Sequence, residues 1–116
     1  MYGRKDLTGL PVLQFDDRMI EFGKVKIGEK REHTYKVTNV GDTNAEIDII
    51  SACDCTTTNE SKRTIKPGDS ATIHVIFDSK EKTESETIDI DIFLKNRTPD
   101  DDMPVIETIK YSFEID

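Results

Sequence analysis

The feature that most narrows the fold is a period of two in hydropathy that recurs five times along the chain. His33, Tyr35, Val37 and Asn39 alternate with Glu32, Thr34, Lys36 and Thr38. Ala45, Ile47 and Ile49 alternate with Glu46 and Asp48. Ala71, Ile73, Val75 and Phe77 form a third run, Ile88, Ile90, Ile92 and Leu94 a fourth, and Ile109, Tyr111, Phe113 and Ile115 a fifth. Successive side chains of a strand point to opposite faces, so each run predicts a strand with one face in a core. No window carries a sustained 3.6-residue apolar period, which leaves little or no α-helix.

The segments between these runs read as edges and turns. Residues 1–10 are polar and predict a flexible lead-in, with the domain spanning 11–116. Val12, Leu13 and Phe15, then Ile20 and Phe22, are two apolar pieces parted by Asp16-Asp17-Arg18, as in an edge strand broken by a kink. Gly23 permits a bend, and Lys26-Ile27-Gly28-Glu29, Asn39-Val40-Gly41-Asp42 and Ile65-Lys66-Pro67-Gly68-Asp69 have turn chemistry. Residues 56–64 are too polar for a core strand and predict a loop or a short edge strand. Residues 96–104, with two prolines and three consecutive aspartates, predict a long polar loop. About seven strands in a chain of 116 residues point to one all-β domain, an immunoglobulin-like two-sheet antiparallel sandwich. There is no Trp, and the two cysteines are only two residues apart, which excludes the antibody-type Cys…Trp…Cys core.

Charge removes several function classes. The net charge of -8, without a basic stripe, opposes binding to a phosphate backbone or an anionic lipid surface, so nucleic acid is not an expected partner. No apolar run approaches the ~20 residues of a membrane-spanning helix, and Met1 to Leu10 lacks the apolar stretch of a signal peptide. Direct membrane insertion is therefore not expected.

Pro11 to Phe15, Glu21-Phe22-Gly23-Lys24-Val25, Gly28-Glu29, Asn39-Val40-Gly41, Ser51 to Thr57 and Pro67-Gly68 occur in an order and spacing that resembles one family. This is a bacterial domain-of-unknown-function family of Ig-like sandwiches, similar to PapD-like, major sperm protein and ASH-type domains. The resemblance covers residues 11–116. It implies a non-catalytic module for protein–protein interaction or envelope structure, in periplasmic, secreted or cell-envelope proteins. The usual Cys-Gly-Cys-Thr stands here as Cys53-Asp54-Cys55-Thr56, and Asp enters positive φ less readily than Gly, which predicts a looser corner. The glycine often found before the penultimate strand is missing from Lys82-Thr83-Glu84-Ser85-Glu86.

Cys53 and Cys55 admit four readings. They could be buried structural residues behaving as small hydrophobes, a disulfide, a two-thiolate claw for copper or zinc, or a reactive thiol. A disulfide requires the backbone to bend, because i and i+2 of a straight strand lie near the upper limit of about 6.8 Å for an unstrained bridge. Zinc normally takes four ligands, and His33 and His74 point to opposite faces of their strands. A reactive thiol needs a nearby cation or base, and Asp54 has the wrong sign. Asp100-Asp101-Asp102 lacks the alternating spacing and turn glycine of a calcium loop. Glu46, Asp48, Asp89 and Asp91 would share an outer acidic face if their strands are neighbours, with Lys110 partly neutralising it. Asn59-Glu60-Ser61 and Asn96-Arg97-Thr98 match glycosylation sequons. The leading expectation is a non-enzymatic module, monomeric in isolation, without a cofactor and binding an unidentified protein. The alternative is a metal-handling protein using Cys53 and Cys55.

Overall fold

The computed structural model describes residues 10–99 and 102–116. Residues 1–9 of the expected lead-in, and Asp100 and Asp101, lie outside the described residues. Nine strands follow in order: β1 (Leu13–Phe15), β2 (Met19–Val25), β3 (Lys30–Asn39), β4 (Ala45–Ser51), β5 (Thr56–Glu60), β6 (Thr64–Ile65), β7 (Ser70–Asp78), β8 (Glu86–Arg97) and β9 (Pro104–Ile115). They form a four-stranded sheet ordered β1-β3-β7-β5 and a five-stranded sheet ordered β2-β9-β8-β4-β6. This is the Ig-like sandwich, with its core between the two inner faces.

Nine strands replace the expected seven for two local reasons. The first strand is shared between the sheets, and the polar segment 61–69 contributes the two-residue β6. The sheet switch falls on Asp16-Asp17-Arg18. The Asp16 amide still donates to Lys36 O in the four-stranded sheet (3.0 Å), while Arg18 O already accepts from the Lys110 amide of the five-stranded one (2.7 Å). Three charged residues suit this position because the crossover has no inner face to fill. Having switched, β2 runs parallel to β9, the one departure from the expected antiparallel pairing, and joins the start of the domain to its end. Gly23, at φ +75°, sits in the register shift between Glu21 and Lys24.

The alternating runs bury the predicted faces of β3, β7, β8 and β9, including Tyr35, Val37, Phe77, Ile90, Leu94 and Tyr111. β4 differs. A register shift between Ile47 and Ile49 adds a residue, so Ile49 turns outward and Ile50 packs against the core in its place. The period-two reading could not register an inserted residue, which reverses every later side chain. The segment 56–64 supplies β5, the expected short edge strand.

Asn39 is a fully buried polar residue at the end of an alternating run, and its position explains it. Its Nδ2 donates to Thr43 O (2.7 Å) and Ile65 O (2.8 Å), and its Oδ1 accepts from the Gly41 amide (3.0 Å). Its own amide donates to Asp69 O (3.0 Å), and its carbonyl accepts from the Gly68 amide (2.7 Å). One side chain thus satisfies backbone groups of the β3–β4 turn and of β6, groups that would otherwise be buried without partners. Gly41 lies so close to the chain ahead of β1 that a Cβ there would sit 2.7 Å from Val12 N. The Asn-x-Gly spacing is therefore a hydrogen-bond requirement followed by a steric one.

Replacing Asn39 with Asp keeps the shape but removes both donated hydrogen bonds. A urea titration should show a loss of roughly 2–4 kcal/mol for Asn39→Asp and for Asn39→Ala, the scale for stranding two buried carbonyls. An unchanged midpoint for Asn39→Asp would show that the donors are not needed.

Candidate functional site

The Cys53-Asp54-Cys55 segment lies where the chain leaves β4 in one sheet to enter β5 in the other. The Thr56 amide donates to Cys53 O (2.9 Å), closing a tight turn, and the Asp78 amide donates to Cys55 O (2.9 Å), fastening it to the end of β7. The turn brings the two cysteine Cα atoms to 5.2 Å, and the sulfurs are joined as a disulfide. Of the four readings left open by the sequence, this is the one realised, and it needs the bend that a straight strand lacks. Asp54 does not take positive φ, so its replacement of Gly does not prevent the corner from closing.

Both cysteines are half-buried, packed against the core on one side and lining a surface depression of about 550 Å³ on the other. They are less deeply buried than small core hydrophobes between the sheets would be. Asp54, Thr57, Asp78, Lys80, Glu81 and Lys82 complete the wall of the depression. Lys82 is held by Glu86 (3.1 Å).

Beneath the sulfurs lies a small polar group in an aromatic setting. Thr56 Oγ1 and Tyr111 Oη are 2.6 Å apart. Cys55 Sγ is 3.4 Å from the threonine oxygen and 3.5 Å from the tyrosine oxygen, Cys53 Sγ is 3.6 Å from Thr56 Oγ1, and the Cys55 amide donates to Cys53 Sγ (3.2 Å). The Tyr111 ring sits against Phe22 and Phe77, each at 5.2 Å. Burial pushes its phenol up to about 12 despite the hydrogen bond to Thr56, so Tyr111 keeps its hydroxyl proton at ordinary pH. Burial raises Tyr35 as well, and its hydroxyl donates to Lys110 O (2.7 Å).

In the disulfide neither sulfur is a thiolate, so the metal-claw reading of Cys53 and Cys55 has no ligands in this state. Among the described residues no group of three or more His, Cys, Asp or Glu side chains could hold an ion. His33 faces the core side and stacks edge-on to Tyr35 at 4.8 Å, whereas His74 lies on the outer face between Glu32 (2.7 Å) and Thr34 (2.8 Å). The two histidines do not converge with the cysteines. The sequon Asn96 is engaged: it donates to Asn44 O (2.9 Å) and accepts from the Glu46 amide (3.0 Å).

A second surface escaped the sequence reading. On the outer face of the five-stranded sheet, Ile49 of β4 stands opposite Phe93 of β8, and Phe93 opposite Ile106 of β9. Ile49 is 57% exposed and Ile106 48%, with Met103 nearby in sequence at 56%. Asp48, Lys95 and Arg97 border the row. The expected acidic face is thereby divided, since Ile49 and Phe93 separate Asp48 from Asp91, while Thr108 donates to Asp91 (2.8 Å) and Lys110 pairs with Asp89 (3.6 Å). The signal was the bulge, which had no mark in the hydropathy pattern.

The chain belongs to the HYDIN/CFA65/VesB-like Ig-like domain family, whose model matches residues 11–106. Three solved structures share the fold. A protein of unknown function from Porphyromonas gingivalis W83 is 21% identical with a TM-score of 0.72, over 90% of this chain and 46% of that one. The Vibrio cholerae VesB protease is 14% identical with a TM-score of 0.69, over 88% and 31%. The ASH/PapD-like domain 7 of human CEP192 is 11% identical with a TM-score of 0.64, over 90% and 84%. The chain thus spans less than half the length of the two bacterial structures. No curated protein matches it in sequence.

Two outcomes follow from this geometry. The disulfide encloses only Asp54, so loop-closure entropy gives it roughly 1–2 kcal/mol, and a Cys53→Ala, Cys55→Ala double variant should lose no more than that in a urea titration. A larger loss would mean that the sulfurs act mainly through packing. Tyr111 and Tyr35 have folded values above the unfolded phenol value, so their contribution is complete below about pH 10 and is lost as pH rises through the folded values. The thermal midpoint should fall from pH 10 upward, and less steeply in Tyr111→Phe. An identical slope in the variant would remove Tyr111 from that account.

Proposed function

We propose that this chain, as an Ig-like domain of that family, is a non-catalytic module that binds a protein partner through the outer face of its five-stranded sheet. The row Ile49, Phe93 and Ile106 carries the reading: aligned apolar side chains on three hydrogen-bonded strands form a rigid contact surface whose burial would be favourable. The outer side of β8 passes from Asp89 and Asp91 through Phe93 to Lys95 and Arg97. β9 already neutralises the acidic end and Arg97 is paired with Asp102 (3.8 Å), so Lys95 favours a partner segment that sets an acidic residue beside apolar ones. A net charge of -8 argues against nucleic acid as that partner. The module needs no cofactor and is monomeric in isolation. A disulfide persists where the surroundings are oxidising, which supports a periplasmic, secreted or cell-envelope location.

The test is selection of peptides from a random display library on the immobilised protein. Binders should combine apolar residues with Asp or Glu, and should weaken by about ten-fold or more against an Ile49→Lys, Ile106→Lys double variant. Binders indifferent to that variant would move the site elsewhere. Sedimentation showing a dimer that the same variant dissolves would assign the face to a second copy of the chain. Turnover in a hydrolase or oxidoreductase panel, abolished by one point substitution, would end the non-catalytic reading.

A further inference from the structure

We infer that the Cys53–Cys55 disulfide is a site of reversible thiol–disulfide exchange, open to an incoming thiolate through the depression it lines. The inference is independent of the binding face proposed above, which lies on the outside of the five-stranded sheet.

The first argument concerns what the bond does not do. It joins residues two apart in sequence, within a turn already closed by the Thr56 amide on Cys53 O and fastened by the Asp78 amide on Cys55 O. It crosslinks no two strands and neither sheet to the other. A bond enclosing one residue also removes the least conformational freedom from the unfolded chain. The fold therefore survives its opening, as reversible exchange requires.

The second argument is access. Both cysteines line an open depression of about 550 Å³, ample for the side chain of an incoming cysteine. Exposed disulfides are the labile, regulatory kind, and this half-buried one borders the open depression on the side away from the core.

The third is stabilisation of the thiolates that exchange releases. Thr56 and Tyr111 bring two hydroxyl protons. Their mutual 2.6 Å hydrogen bond uses one, and the other is free to donate to sulfur, with Cys55 Sγ 3.4 and 3.5 Å from the two oxygens. Cys53 Sγ has its own donor in the Cys55 amide at 3.2 Å. A hydrogen bond to the charged form favours that form. Lys80 and Lys82 supply positive charge at the wall, against Asp54, Asp78 and Glu81. With Lys82 engaged by Glu86, Lys80 is the cation available to an arriving or departing thiolate.

The step balances without a further reagent. The incoming thiolate forms a bond to one cysteine sulfur as the Cys53–Cys55 bond breaks, and the electron pair leaves on the other sulfur. A second thiol, on the same molecule for a dithiol donor or on a second molecule for a monothiol, then attacks the donor sulfur of the mixed disulfide and releases the protein's first sulfur. The pair gains two electrons and two protons, and the donor's two thiols become a disulfide. The donor is a small thiol or a protein dithiol.

The full native chain is incubated with glutathione in one arm and with a synthetic peptide carrying a Cys-x-x-Cys dithiol in the other. The mixtures are acid-quenched, alkylated with maleimide and weighed by mass spectrometry, with circular dichroism recorded in parallel. Both thiols should appear under native conditions at a rate within about ten-fold of that for oxidised glutathione as the target, with the β-sheet spectrum retained, and oxidised glutathione should restore the intramolecular bond. Faster reaction with the peptide assigns the site to protein dithiols, and reaction with glutathione alone assigns it to small thiols. Reduction only after denaturant is added would overturn the inference, as would loss of the β-sheet spectrum on reduction. A Lys80→Gln variant that folds as the native chain should exchange more slowly, and an unchanged rate would remove Lys80 from the account.

Discussion

At one end of the sandwich the two sheets are held in their mutual position by the hydrogen bonds of Asn39. A sandwich core is non-directional: Tyr35, Phe77, Leu94 and Tyr111 would stay away from water in several relative placements of the sheets. The Asn39 amide permits only one, because it must reach Thr43 O and Ile65 O at once while Gly41 returns a hydrogen bond to it. Thr43 precedes β4 and Ile65 ends β6, both of the five-stranded sheet, whereas Asn39 ends β3 of the four-stranded one. The close approach of Gly41 to Val12 extends the constraint to the first strand. A second knot at the opposite end of β3 uses the same device: buried Ser79 takes the Gly28 amide (3.0 Å) and lies 2.7 Å from Glu29 O, tying the β2–β3 turn to the end of β7.

Much of this architecture was legible because strands with one wet face write their orientation into every second residue. β3, β7, β8 and β9 are long enough to repeat that signal four or five times, and their buried faces agree with it residue by residue. The turn at Asn39-Val40-Gly41 was legible as a turn but not as a tertiary hub, since the partners of its amide lie 26 residues apart or close by and only the fold selects them. The assignment of the first strand to two sheets was visible only as a polar interruption. Its meaning depends on β9, some ninety residues later, where Arg18 reaches Thr108 O (3.3 Å) and Glu107 (2.9 Å).

The functional surfaces were less legible than the fold, for identifiable reasons. Ile49 reads as a core residue because it continues the parity of Ala45 and Ile47, and the inserted residue that turns it outward has no compositional mark. Ile106 belongs to no alternating run, and its alignment with Phe93 comes from the β8–β9 register. The cysteine pair was recognisable as a special corner, but its chemical state was not. The choice between disulfide and free thiols turned on a backbone bend of about one residue, and the Asp54 that argued against tightness closes the turn without entering positive φ.

The division of labour within the domain bears on what its sulfurs are for. In an antibody-type sandwich a disulfide between the sheets limits their separation, and its loss is felt throughout the core. Here that work is spread over Asn39, Ser79, the sheet switch at 16–18 and the phenol of Tyr35, whose hydroxyl crosses from the four-stranded sheet to Lys110 O. The only sulfur–sulfur bond lies inside a turn and restrains one residue. It is nevertheless placed against Tyr111, which contacts Phe22, Phe77 and Phe113 in the core. A change at sulfur therefore reaches the aromatic centre through a single hydroxyl pair without being required to hold that centre together.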